Sequence, residues 1–182
     1  MTRALLVVNP SARRAARDEA AARAAFDASG VRCTVARTTH PGHAAALAAE
    51  GMDAHDAIFA LGGDGTAMEV VGALAHSGVP VGILPGGTGN LVARTLGIPL
   101  VVRRAVPALL GGDVARVDLG VVQAAGGAPR RFAFAAGVGV DARMIAETPA
   151  AWKRRLGVLA YALTAVRAVL AGERFVVRAE VD

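Results

Sequence analysis

Ala57-Ile58-Phe59-Ala60-Leu61-Gly62-Gly63-Asp64-Gly65-Thr66 decides the fold. Ala57–Leu61 reads as a strand, and a helix follows from Thr66. The glycines between them let the backbone turn tightly and let an anion approach the amides. Outward from this stretch, short β-branched runs alternate with Ala-rich helical ones. Arg3–Val8 is a first strand and Arg13–Ala28 a helix closed by Gly30. Val31–Ala36 is a second strand and Gly42–Gly51 a second helix. Beyond the central stretch come a helix over Thr66–His76, a strand at Pro80–Leu84, and a short helix at Asn90–Leu96 closed by Gly97-Ile98-Pro99. Strands separated by helices in this way form βαβ units. The fold class is therefore α/β, with a doubly wound, mostly parallel sheet.

Such sheets bind ligands in the crevice beyond the carboxyl ends of their strands. A second glycine-rich loop, Pro85-Gly86-Gly87-Thr88-Gly89-Asn90, follows the next strand and again precedes a helix. If the two strands are neighbours, both loops face one cleft.

The pattern changes near Gly111-Gly112. Val114–Gln123 and Arg131–Ala136 read as two strands joined by a Gly-Gly-containing turn. Trp152–Ala171 reads as a helix and Phe175–Val181 as a last strand. Residues 1–112 are thus expected to form an α/β domain, and residues 113–182 the start of a β-rich second domain. A last strand without a partner would favour pairing with a second copy.

Composition narrows the class. Hydrophobic residues make up 54% of the 182, but 42 are Ala and aromatics are only 4%, so the excess is mostly methyl groups. No run reaches the roughly 18 apolar residues of a spanning helix. The nearest, Leu156 to Gly172, is broken by Arg167. The apolar core of Met1–Pro10 is too short for a signal-peptide h-region. The single cysteine, Cys33, excludes an intramolecular disulfide and a Cys-based zinc site. A soluble, cytoplasmic protein is expected. The net charge is +5 and Lys153 is the only lysine. The arginines are scattered, with one Trp and one Tyr to stack bases, so nucleic acid is not the expected partner.

The loops also carry chemistry. Neither is a P-loop, and no G-x-G-x-x-G follows the first strand. Asp64 is the informative residue, because a carboxylate among anion-cradling amides repels the anion. It makes sense if Mg²⁺ bridges the two, or if Asp64 acts on a substrate hydroxyl, and both point to phosphoryl transfer. A plain turn with an Asp or Thr helix cap is the alternative, and the second loop counts against it.

These residues resemble the diacylglycerol kinase catalytic-domain superfamily, particularly its soluble bacterial lipid kinases. Asn9-Pro10-Ser11 looks like the N-terminal loop, and Thr38 with Gly42-His43-Ala44 like its Thr-x-x-x-Gly-(Asp/His)-Ala element. Gly62–Thr66 with Glu69-Val70-Val71 is similar to the nucleotide loop. Gly82–Asn90 with Ala93-Arg94 and Leu96–Pro99 matches the second loop. Val117–Gly120, Gly137–Ala142 and Leu156-Gly157 with Tyr161 look like the opening of the second domain.

The resemblance implies a lipid kinase that moves the ATP γ-phosphate to a lipid hydroxyl such as that of diacylglycerol. ATP would contact Asn9, Pro10, Ser11, Ala12, Thr38, Gly63, Asp64, Gly65, Thr66, Glu69, Gly87, Thr88, Gly89 and Asn90. Asp64 would be catalytic, and Asp64 with Asp118 would hold Mg²⁺ through water. There are departures: Met68 stands where Asn is frequent, Leu91 where Asp is frequent, and Ala12 where Gly is usual. Leu91 removes a possible carboxylate from the metal network. The family's second domain runs longer and carries the general base, so the length of this chain counts against turnover by it alone. An NAD kinase-like enzyme and a non-catalytic nucleotide-binding fragment are the competing readings.

Other residues admit plain readings. His40, His43, His55 and His76 show no ligand spacing, and Cys33 reads as a buried strand residue. Arg13, Arg14 and Arg17 open the first helix near the loops, where they either contact phosphate or form a solvated face. Trp152-Lys153-Arg154-Arg155 ahead of an apolar stretch suits peripheral docking on an anionic membrane, and equally a helix packed on its own sheet.

Overall fold

Six consecutive buried residues, Ala57–Gly62, make β3 the hub of the sheet. The structure, a computed structural model, describes residues 1–123, 127–135, 142, 147–149, 152 and 158–170. β1 (Arg3–Val8), β2 (Arg32–Arg37), β3 and β4 (Val81–Pro85) form a four-stranded sheet in the order β2-β1-β3-β4, parallel throughout. The chain steps from β1 outward to β2, then crosses to β3 on the other side. The order therefore reverses between β1 and β3, which is where open α/β sheets bind ligands.

Side chains of β1 alternate between two cores, as the two-residue period of a strand requires. Leu6 and Val8 join Phe26, Phe59, Leu61 and Val106 on one face. Leu5 and Val7 join Ile58, Ala60, Val70 and Leu74 on the other. The first face is covered by α1 (Ala15–Ala28) and the second by α2 (His43–Gly51) and α3 (Asp64–Ala73). Phe26 meets Phe59 edge to face, ring centroids 4.8 Å apart, and burying each ring stabilises the layer by about 2–3 kcal/mol.

α4 (Leu91–Thr95) is followed by α5 (Val102–Leu110), which the sequence reading leaves unassigned. Pro107 sits inside α5 and masks a helical pattern, Val102, Ala105 and Val106, that is buried against α1 and β4.

β5 (Gly120–Val122) and β6 (Arg130–Phe132) form an antiparallel hairpin. β5 is shorter than the expected Val114–Gln123, because the segment from Asp113 to Asp118 is irregular and exposed; β6 stops at Phe132, and Ala136, the last residue of the expected second strand, lies outside the described residues. The hairpin leans on α3, where the Ala133 N–H donates to the Met68 sulfur at 3.3 Å. The first compact unit accordingly runs from Met1 to Ala135, past the change in composition near Gly111-Gly112, and the second from Ala136 to Asp182.

In the second unit α6 (Val158–Leu170) is described, with the Thr164 hydroxyl donating to Ala160 O at 3.0 Å. The Arg167 guanidinium lies over the Trp152 ring, 5.7 Å from its centroid. The expected helix over Trp152–Ala171 extends into residues outside those described, and so does the whole strand expected at Phe175–Val181. Among the described residues, no helix is long and apolar enough to cross a membrane.

Candidate functional site

Four parallel strands end side by side at Val8, Arg37, Gly62 and Pro85, so their exit loops line one edge. The expected adjacency of the two glycine loops follows from β3–β4 pairing, with Gly62 opposite Pro85. Backbone bonds carry the register into the loops. Gly86 N–H donates to Gly62 O at 2.7 Å, Asn9 N–H to Leu61 O at 3.0 Å, and Thr38 N–H to Val8 O at 2.9 Å.

Asn9 organises the exit from β1. Its Oδ1 accepts the Ser11 N–H at 3.0 Å, an Asx turn, and its Nδ2 donates to Thr66 Oγ1 at 3.0 Å. The first loop is thereby tied to the strand beside it. The two glycine loops touch directly: a Cβ on Gly87 would lie 2.5 Å from Gly63 Cα, so only glycine allows this approach. Asn90 is buried, 5% exposed, with φ +50°, and closes the second loop on itself. Its Oδ1 accepts Gly87 N–H at 2.9 Å and its Nδ2 donates to Gly87 O at 3.0 Å.

Asp64 opens α3 and bridges the loops. Its Oδ1 accepts the Val92 N–H at 3.0 Å, which satisfies an unpaired amide at the start of α4. Oδ2 lies on the Gly89 side and takes part in no hydrogen bond or ion pair among the described residues.

Of the expected site residues, Asn9, Thr38, Gly63, Asp64, Gly65, Thr66, Gly87, Thr88, Gly89 and Asn90 all lie along this edge, with Pro10, Ser11 and Ala12 leading from it into α1. Besides Asn9 and Thr66, which bond each other, two more have structural partners. Asn90 is occupied by Gly87, and Glu69 seals the start of α2, its oxygens accepting Gly42 N–H at 3.0 Å and Ala44 N–H at 3.1 Å. Asp118 stands exposed ahead of β5, with no bond to the loops. Among the described residues no group of three or more His, Cys, Asp or Glu side chains is placed to hold a metal ion. The donor set therefore fits Mg²⁺ held through Asp64 Oδ2, water and substrate phosphates, as Mg²⁺ commonly is, and does not fit a protein-built cage.

Sequence reading missed the work of two arginines. The Arg14 guanidinium donates to Leu100 O at 3.3 Å, and its backbone N–H donates to Gly86 O at 2.8 Å, bracing α1 against the second loop. Arg94 Nε donates to Gly89 O at 3.0 Å. Both line a cleft of about 410 Å³ beside Gly87 and Thr88. An Arg-rich helix start next to a glycine loop was the available signal.

Residues 3–122 match the family model of the diacylglycerol kinase catalytic domain. The chain belongs to this family. It is 33% identical over 169 residues to a diacylglycerol kinase of Bacillus subtilis (strain 168), covering 90% of this chain and 54% of the relative. It is 35% identical over 96 residues to a diacylglycerol kinase of Mycobacterium tuberculosis (strain CDC 1551 / Oshkosh), covering 52% and 31%. The crystal structure of a diacylglycerol kinase from Bacillus anthracis (strain Sterne) superposes with a TM-score of 0.58 at 30% identity, covering 64% of this chain and 44% of that one. The chain thus spans about half, or less, of the length of these relatives.

Proposed function

We propose that this chain binds ATP across its two glycine loops and supplies the nucleotide half of a lipid kinase, directing the γ-phosphate to a lipid hydroxyl such as that of diacylglycerol. The observation that carries this reading is the loop-to-loop contact of Gly63 and Gly87, with Asp64 spanning both loops and one carboxylate oxygen left open. Residues 1–112 would hold the nucleotide and residues 113–182 would begin the lipid-facing domain. When bound, Mg²⁺ would neutralise charge on the transferred phosphoryl group. The backbone amides of the loops would orient the phosphates, and Asp64 Oδ2 would meet the metal or the acceptor hydroxyl. Work at a lipid surface implies a cytoplasmic protein in peripheral contact with the membrane.

An assay with Mg-ATP, offering diacylglycerol in mixed micelles against NAD, tests the reading. Phosphatidic acid is the expected product, and phosphorylated NAD without a lipid product would sink it. Asp64→Asn should lower transfer about a hundredfold or more, while the melting temperature stays close to wild type, because the Asn oxygen still accepts the Val92 N–H. Undiminished transfer by this variant would remove Asp64 from the chemistry.

A further inference from the structure

Leu91 is held outward beside the open oxygen of Asp64. Val92 and Ala93, the next two residues of α4, are 5% and 1% exposed, whereas Leu91 is 48% exposed. Its backbone has little freedom to turn the side chain inward. Asn90 before it is tied to both the N–H and the O of Gly87, and the Val92 N–H after it donates to Asp64 Oδ1 at 3.0 Å. A lone leucine on a protein surface is ordinary. One fixed next to an unpaired carboxylate oxygen calls for a partner that suits both.

Gly89 leaves the gap between them. The place that a Gly89 β-carbon would occupy lies 3.2 Å from Asp64 Oδ2 and 3.6 Å from Leu91 Cγ. Apart from its chain neighbours, nothing else among the described residues comes within 4 Å of that point. One small opening therefore meets a carboxylate oxygen and a hydrocarbon branch at once. The Gly89 backbone is fixed in turn, because its O accepts the Arg94 Nε–H at 3.0 Å. Apolar packing continues behind it. Val92 and Ala93 bury with Ala67 and Ile83, and Met68, one turn beyond Asp64 on α3, packs against them.

We propose that Leu91 sets the acceptor preference of this site, receiving the hydrocarbon of an alcohol whose hydroxyl lies beside Asp64 Oδ2. The ligand class is an amphiphile that carries its chain a few atoms from a free hydroxyl, as a diacylglycerol does. The charged oxygen attracts the hydroxyl end, and the leucine gains from contact only if hydrocarbon covers it. A ribose hydroxyl, as NAD offers, has polar neighbours at the same distance, and pressing them on Leu91 would strip their water without replacing it. This assignment rests on the phosphoryl-transfer role given to Asp64 above.

Titration calorimetry of the full chain with monomeric 1,2-dihexanoylglycerol, and separately with ATP, is the direct test. Wild type should bind the diacylglycerol, and Leu91→Gln should bind it at least about tenfold more weakly. Leu91→Met keeps an apolar side chain of similar volume and should stay within about threefold of wild type. ATP affinity and melting temperature should be alike in all three, since Leu91 is exposed. In the wild-type complex, intermolecular NOEs should join the Leu91 methyls to the acyl methylenes. A Leu91→Gln chain that binds dihexanoylglycerol as tightly as wild type overturns the proposal and leaves the lipid-kinase reading standing. Equal losses in the Gln and Met variants, or a complex without those NOEs, overturn it as well. A wild-type chain that binds ATP but no dihexanoylglycerol sinks the lipid acceptor together with the proposal, while the nucleotide site survives.

Discussion

The two flanks of the sheet's carboxyl edge handle charge in opposite ways. On the α2–α3 flank the carboxylates terminate helices: Glu69 takes two amides at the start of α2, and Asp64 takes one at the start of α4. On the α1–α4 flank, arginines crowd a helix N-terminus where the dipole opposes them, with Asp18 as their carboxylate partner. Glu69 is complete in itself, whereas Asp64 fixes the loops through Oδ1 and keeps Oδ2 open. On the other flank Asp18 matches only part of the positive charge. A carboxylate with both oxygens on backbone amides thus belongs to the frame, and charge left without a partner belongs to the face that can meet a ligand.

Because the second glycine loop separates these flanks, forcing it away from the first has the largest expected effect. Gly87→Ala would place a methyl 2.5 Å from Gly63 Cα and 3.2 Å from Asn90 Oδ1, and the first of these is backbone that cannot rotate aside. A loss of about 2–3 kcal/mol in urea unfolding is expected, together with loss of ATP binding. Gly65→Ala is the matched control. Nothing lies within 4 Å of its added methyl, and the position is helical, so stability should hold or rise by under about 1 kcal/mol. Equal effects at both positions would mean that the loop contact does not define the site.

Much of this edge was legible in the sequence because it rests on local rules. β1 keeps the expected bounds, Arg3–Val8, since a β-branched run ended by Asn-Pro leaves little choice. α1, β2, α2, β3 and β4 shift by only one or two residues at their ends. α5 was hidden by Pro107, a breaker that tertiary packing against α1 overrides. The partners of Asp64 and Glu69 were also beyond reach. They are amides 28 and 25 to 27 residues away in the chain, brought close only once β4 pairs with β3 and α3 packs on α2. A sequence shows that a carboxylate is present; the fold decides whether it meets a ligand or an amide.

Glu69 sharpens that distinction at intermediate cost. Glu69→Ala would leave the Gly42 and Ala44 amides at the start of α2 without their acceptor, which costs about 1–2 kcal/mol. Glu69→Gln should recover about half of that, since a neutral amide oxygen accepts one bond but not both. ATP affinity, measured by calorimetry at a temperature where each variant stays folded, should change by less than about threefold in either. A larger loss of affinity without loss of stability would move Glu69 from the frame to the ligand face.

The smallest effect is expected at the opposite edge of the sheet, where Asp56 repeats the α2–α3 pattern far from any ligand. Its Oδ2 accepts the Thr2 N–H at 2.7 Å, the Arg3 N–H at 3.0 Å and the Thr2 hydroxyl at 3.0 Å, with Arg3 Nη2 3.5 Å from Oδ1. These bonds, the Thr2 amide first, hold its carboxyl well below the usual carboxylate range. A carboxyl depressed on folding stabilises the native state above its unfolded pKa, near 4, and loses that contribution as pH falls through the lower folded value. Asp56→Asn should therefore melt below wild type at pH 7, with the gap narrowing as pH drops from about 4 towards 2. Because the pair is exposed and screened, the gap should stay below that of Glu69→Ala. A gap that is constant with pH would mean that Asp56 acts through shape alone, and the equivalence drawn between capped carboxylates at the two edges would fail.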